Sequence, residues 1–301
     1  MRNAVINTVL EFAKKDKKIF LVAGDAGFGV LDQFKKLFPE RFLNLGVAEQ
    51  NMISFSSGLA LAGFCVFVYD IIPFLLYRPY EQIRNDICYQ RLPVKLIGIG
   101  SGITYAPQGI THYAVEDIII ARSLPNLIIL SPADSFEAKK CVEFSLKSKY
   151  PVYIRVSKNI KENIHKEFPE TIEEPILIKD GKKIAVLFYG SISEEIIKVI
   201  KNLNLDVKFI SVPMIWPLNF KKLLSLLKNV NIIITVEEHF KEGGLGSIIS
   251  EFLLKNNIRK RLIKLGIENE FIHSVNNIER LRKKYGISSQ NIINVIKKFY
   301  G

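Results

Sequence analysis

The sequence predicts an α/β protein of two domains, each a largely parallel sheet covered by helices, the second smaller and Rossmann-like. Apolar, strand-sized runs alternate with helix-length segments along nearly the whole chain, and one charged, proline-bearing stretch interrupts the alternation. Strands covered on both faces read as continuous apolar runs, because neither face meets water. With 301 residues there is enough chain for two cores of ordinary size.

The expected strands of the first domain, residues 1–158, are KIFLVA (18–23), RFLNL (41–45), FCVFVY (64–69), PVKLIGIG (93–100), NLIILS (126–131) and PVYIRV (151–156). Helix-length segments at 48–62, 74–90, 115–122 and 134–147 lie between them. Asp134 closes the turn Ser131-Pro-Ala-Asp134 and is the expected N-cap of the last of these helices. Residues 159–175 carry charge and two prolines without a sustained strand pattern, which marks a linker. The alternation resumes over 176–301 with KIAVLFYG, VKFISV, VNIIITVEEH and RLIKLGI, and ends in a basic helical tail.

Composition narrows the function. No apolar run approaches the length of a bilayer span, so no membrane association is expected. The N-terminus is amphipathic and interrupted by charge, unlike a secretory leader. Cys65, Cys88 and Cys141 are odd in number and outside any CxxC pattern, which fits reduced structural thiols in a cytoplasm and gives no metal site. The net charge of +12 comes from lysines spread over the whole chain rather than gathered in a stripe. That distribution argues against nucleic acid and for an acidic partner or a phosphorylated substrate.

Four stretches carry chemical information. GDAGFG (24–29) follows a strand but lacks the G-x-G-x-x-G spacing of a dinucleotide turn. GGLGS (243–247) opens a helix and reads either as an anion site or as a close-packing turn. NLGVAEQNM (44–52) places Glu49 between a strand and a helix rich in Ser, Gly and Ala, among them Ser54, Ser56, Ser57 and Gly58. In QGITHYAVED (108–117), His112 sits at a strand-to-helix crevice, where ligands of open α/β sheets bind. Taken alone, it reads more often as a capping or core residue. Phe74 and Tyr77 lie one helical turn apart and are expected to share a face, either as core or as a wall for a flat heterocycle.

The order GVAEQNM, then F-x-x-Y-R-x-x-x-Q-I-R, then GITHYAVEDIIIARSLPNLIILSPAD resembles the pyrimidine-binding domain of the transketolase family, and VEEHFKEGGLGS resembles that family's C-terminal domain. The resemblance implies thiamine diphosphate as cofactor, with Glu49 hydrogen-bonding N1′ of its aminopyrimidine and Phe74 stacking on the ring beside Tyr77. Asp25 then lies near the cofactor, and His112 lines the substrate channel close to the reacting centre. It also implies an activity, transfer of a two-carbon ketol unit between sugars.

Departures from the family pattern qualify the substrate. Gln108 stands where sugar-phosphate transketolases carry an aspartate; Gly29, Gly100 and Lys158 stand for Ser, His and Arg at phosphate-holding positions, while Arg2 retains one such contact. AGDAG is not the G-D-G of the diphosphate-binding domain, and no paired asparagines follow it at the distance the family pattern has. The expectation is therefore a split enzyme. A separate N-terminal subunit supplies Mg²⁺ and the diphosphate site, and this chain pairs with itself in an α₂β₂ assembly that takes sugars or sugar phosphates. Deoxyxylulose-phosphate synthase-like chemistry, a 2-oxo-acid dehydrogenase β subunit and a non-catalytic scaffold are the alternatives.

Overall fold

Twelve strands form two sheets in the computed structural model, which describes residues 1–158, 160 and 162–300. Asn159 and Lys161 of the expected linker lie outside the described residues. The strands are β1 (Ile19–Ala23), β2 (Phe42–Asn44), β3 (Cys65–Ile71), β4 (Lys95–Ile99), β5 (Ile128–Leu130), β6 (Val152–Val156), β7 (Ile176–Lys179), β8 (Lys183–Phe188), β9 (Val207–Ser211), β10 (Met214–Trp216), β11 (Val230–Phe240) and β12 (Arg261–Ile267). The first sheet runs β10-β5-β6-β4-β3-β1-β2 and the second β12-β11-β8-β9-β7. Pairing is parallel except at β10/β5 and β7/β9. Among the described residues, no helix is long and apolar enough to cross a membrane.

The ten strands expected from apolar runs are all present, with ends that differ by at most two residues: most are trimmed, while β3 and β11 run on past the expected end. β7 and β10 were not foreseen, being short and flanked by Pro175, Pro213 and Pro217, which suppress the strand signal. β10 crosses from the second domain to the edge of the first sheet, where Met214 pairs with Leu130.

Both faces of the first sheet are covered. On one, Val5 and Val9 of the helix Arg2–Ala13 and Val142 of the helix Ser135–Lys147 pack on Phe67 and Ile97. On the other, Met52, Ile53 and Ile87 pack on Val66, Val68 and Leu96, and this core continues without a break into Leu187, Ile210 and Ile233 of the second sheet. Each such fully buried side chain contributes roughly 1.5–3 kcal/mol. Asp134 caps the helix Ser135–Lys147 as expected, accepting from the amides of Phe136 and Glu137 at 2.9 Å each.

A buried polar network fastens the domains. Asp117 Oδ2 accepts from Arg155 Nε and Tyr153 Oη, both at 2.7 Å, and Arg155 Nη2 reaches the carbonyls of Ala114 and Glu238 at 3.0 Å. Glu238 in turn accepts from Ser191 Oγ at 2.7 Å and Arg282 Nε at 2.5 Å. His165, in the connecting segment, bonds through Nε2 to Glu137 Oε1 at 2.7 Å.

Candidate active site

The loops that build the site leave the C-terminal edge of the first sheet, at the ends of β1, β2 and β3. Asn44, the last residue of β2, accepts from the amides of Asp25 (3.0 Å) and Gly46 (2.9 Å), tying two of these loops together. Gly46 has φ +69°, a conformation that glycine tolerates at little cost and that lets the chain turn into the helix Glu49–Leu61. Glu49 is the first residue of that helix and only 7% exposed. Ala48 supplies no side-chain cap, and Glu49 is the acidic residue of the first turn, where the helix dipole favours negative charge.

Arg78 Nη1 lies 2.5 Å from Glu49 Oε1, and the same guanidinium sits over the Phe74 ring, 4.1 Å from its centroid. His112 meets Phe74 edge-on at 5.3 Å between centroids and Tyr105 at 5.8 Å. Its Nδ1 is 2.9 Å from Thr111 Oγ1. Burial and then the Arg78 charge lower the His112 pKa, favouring the neutral imidazole. Lys158 Nζ stands 5.3 Å from the Tyr105 ring centroid, and the Arg2 charge also acts on Tyr105 and on Tyr69. Glu49, Phe74, His112, Lys158 and Arg2 are thus linked through Arg78 and Tyr105.

Asp25 is exposed, with φ +51°, and its charge is felt at the buried Asp70. Gln108 is exposed on the turn Ala106–Gln108, four residues before His112. The expected sharing of one face by Phe74 and Tyr77 is corrected. The segment Pro73–Tyr77 winds as a π-helix, whose wider turn pulls apart residues three positions apart. Phe74 faces Arg78 and His112, whereas Tyr77 packs on the core with Glu116 and Asp117 as its charged neighbours.

The turn GGLGS is not an open anion site. Glu237 fills the helix terminus, accepting from the amides of Leu245 (2.8 Å) and Gly246 (2.9 Å). Of the small residues after Glu49, Ser56 and Ser57 turn inward and bond the backbone of their own helix, while Ser54 and Gly58 stay outside with Phe55 and Leu61. Sequence reading gave no role to Asn44, Asp70, Arg78 or Tyr105. Asn44 had a signal, standing before Leu-Gly at a strand end; the other three acquire meaning only from contacts made across loops.

One acidic group on a helix terminus, one aromatic face and one neutral imidazole can bind a flat, hydrogen-bonding heterocycle and move protons beside it. Comparison with known proteins agrees. A family described as "Transketolase, pyrimidine binding domain" matches residues 1–162, and one described as "Transketolase, C-terminal domain" matches residues 175–292. The chain is 31% identical over 299 residues to a putative transketolase C-terminal section of Methanocaldococcus jannaschii, covering 97% of this chain and 93% of that one. It is 32% identical to a 1-deoxy-D-xylulose-5-phosphate synthase of Caldanaerobacter subterraneus, spanning 97% of this chain but 48% of that one. Among solved structures it is similar to a split gene transketolase, an inactive beta4 tetramer, with a TM-score of 0.87, 25% identity and coverage of 99% and 97%. Fold and site together define a pyrimidine-binding domain joined to its smaller α/β companion, the second half of a thiamine-diphosphate-type enzyme. The chain belongs to the transketolase family, as a C-terminal subunit of the split kind.

Proposed function

We propose that this chain, divided at the linker 159–175, works with a separate N-terminal subunit to transfer a two-carbon ketol unit between sugars. The observation that carries the reading is the Glu49–Arg78–Phe74 stack. A planar cation already makes both the hydrogen bond and the ring contact that an aminopyrimidine would need, so the residues present fit thiamine diphosphate. When bound, that cofactor supplies an acidic carbon that adds to a carbonyl and accepts the electron pair released on C–C cleavage.

The residues of this chain do the rest. Glu49 binds the ring nitrogen N1′ and exchanges a proton with it, while Phe74 fixes the ring plane. His112, held by Thr111 and wedged between Phe74 and Tyr105, bonds donor hydroxyls as a neutral imidazole. Arg2 and Lys158 flank Tyr105 and hold an anionic substrate end, Lys158 as a point charge without an arginine's fork. Asp25 and Gln108 line the entrance. The partner subunit carries the divalent cation and the diphosphate, and the outward stripe of Ser54, Phe55, Gly58 and Leu61 joins two copies of this chain in an α₂β₂ complex.

The test is coexpression with the partner followed by assay of Glu49→Ala with ketose phosphates and with pyruvate as donors. Ketol transfer falls by about 10²–10⁴-fold, as expected on losing a positioned acid–base group. Full activity at saturating cofactor would refute the role of Glu49. A preference for pyruvate would move the chemistry to the synthase branch, which the similarity to a deoxyxylulose-phosphate synthase keeps in view.

A further inference from the structure

Beneath Glu49 lies a second carboxyl that the mechanism above does not use. Asp70, near the C-terminal end of β3, is fully buried. Its Oδ1 accepts from the Ile71 amide at 2.7 Å, and its Oδ2 has no hydrogen-bond partner among the described residues. Oδ2 is turned towards Gly24, where a Cβ would lie 2.4 Å from it and 3.1 Å from the sulfur of Met52, one turn along the Glu49 helix. Glycine at position 24 is what leaves room for this carboxyl.

The charges facing Asp70 are those of Glu49, Asp25 and Arg78, and the phenols of Tyr69 and Tyr105 also feel it. Three carboxyls therefore meet one guanidinium. A buried carboxylate with a free oxygen is costly, whereas a neutral carboxylic acid is not. Burial above all pushes the Asp70 pKa up to about 7; the Ile71 amide and Arg78 act downwards, Glu49 and Asp25 upwards.

We propose that Asp70 is a positioning residue acting through Glu49: buried beneath the Glu49 helix, it takes up a proton when Arg78 leaves Glu49 to admit the cofactor's ring nitrogen. The proposal rests on the reading that Glu49 meets that nitrogen. The balance is simple. As Arg78 withdraws, its downward pull on the Asp70 pKa is lost, a buffer acid gives up a proton, and an O–H bond forms on Asp70 with no change in electrons. The two carboxyls Asp70 and Glu49 then present one negative charge to the heterocycle instead of two.

Two measurements decide it. In the full chain labelled with ¹³C at aspartate carboxyls, one signal titrates near neutrality and is missing from Asp70→Asn, or from Asp70→Ser if the first variant does not fold. Glu49→Gln moves that midpoint to lower pH and Arg78→Met to higher pH. Aspartates that all titrate below about pH 5, the ordinary carboxyl range, or a midpoint indifferent to both substitutions, would overturn the proposal. In the two-subunit complex, calorimetry of thiamine diphosphate binding in buffers of different ionisation enthalpy shows net proton uptake above neutrality, lost in Asp70→Asn. Unchanged uptake in that variant overturns the role of Asp70 and leaves Glu49 as assigned. No cofactor binding by the wild-type complex overturns the Glu49 reading, and with it the proposal.

Discussion

Arg78 holds Glu49 Oε1 at 2.5 Å while its guanidinium lies 4.1 Å from the centre of the Phe74 ring. One flat cation thus occupies both contacts assigned to the pyrimidine. The arginine side chain is 46% exposed and Glu49 is 8%, so the arginine is the partner with open solvent to swing into. Arg78→Met removes a competitor, and the two-subunit complex binds thiamine diphosphate several-fold more tightly by calorimetry. The free chain is destabilised, because the buried Glu49 carboxylate is left without its partner, seen as a lower melting temperature. Weaker cofactor binding in the variant would count against competition.

The pair joining Asp117 to Arg155 is fully buried and sits between the domains. Removing one partner of such a pair costs about 3–5 kcal/mol, because the other charge is left without compensation. Arg155→Met therefore lowers the denaturation midpoint sharply. Replacing both residues by apolar ones recovers much of the loss. A double variant as unstable as the single one would show that the carbonyl contacts of Arg155, not the ion pair, matter most.

His165 ties the connecting segment to Glu137. Burial works against its cation, but the hydrogen bond and charge of Glu137 prevail and hold the pKa above its ordinary value. A histidine raised in the folded state stabilises fully below its unfolded pKa, and that contribution is lost as pH rises through the folded value. His165→Gln is accordingly more damaging at pH 5.5 than at pH 9 in thermal melts. Equal loss at both would mean that Glu137 does not bear on the histidine's charge.

Glu237 closes the helix Leu245–Lys255 from inside, accepting from two amides and from Tyr189 Oη at 2.8 Å. A Cβ on Gly244 would fall 2.1 Å from its Oε2. Gly244→Ala is expected to cost about 1–3 kcal/mol through overpacking. Glu237→Ala leaves the amides of Leu245 and Gly246 buried and unpaired, at about 1–3 kcal/mol for each such group. Neither change alters substrate preference, which activity assays across donors would check.

Much of this was legible beforehand because apolar periodicity and motif order are local properties. The long strands, the Asp134 cap and the crevice holding Glu49 and His112 follow from runs of a few residues. What escaped depends on non-local contact. The sequence does not announce the π-winding of Pro73–Tyr77, which separates Phe74 from Tyr77 and leaves Tyr77 to the core reading of that aromatic pair. Arg78 stood inside the motif without a role, since nothing linear says that it folds back onto Glu49. Gly243-Gly-Leu-Gly-Ser247 offered a helix terminus, and the acid that fills it comes from the preceding strand.

The three residues Met214–Trp216 have an effect out of proportion to their length. They are donated from beyond the linker to the outer rim of the first sheet, and the Ser131 amide depends on the carbonyl of Pro213 at 2.8 Å. A gene cut at the linker would strip β5 of this cover and leave a raw sheet border ready to stick to other chains. The chain is therefore indivisible at its own midpoint, and a first half made alone is expected to aggregate rather than bind cofactor.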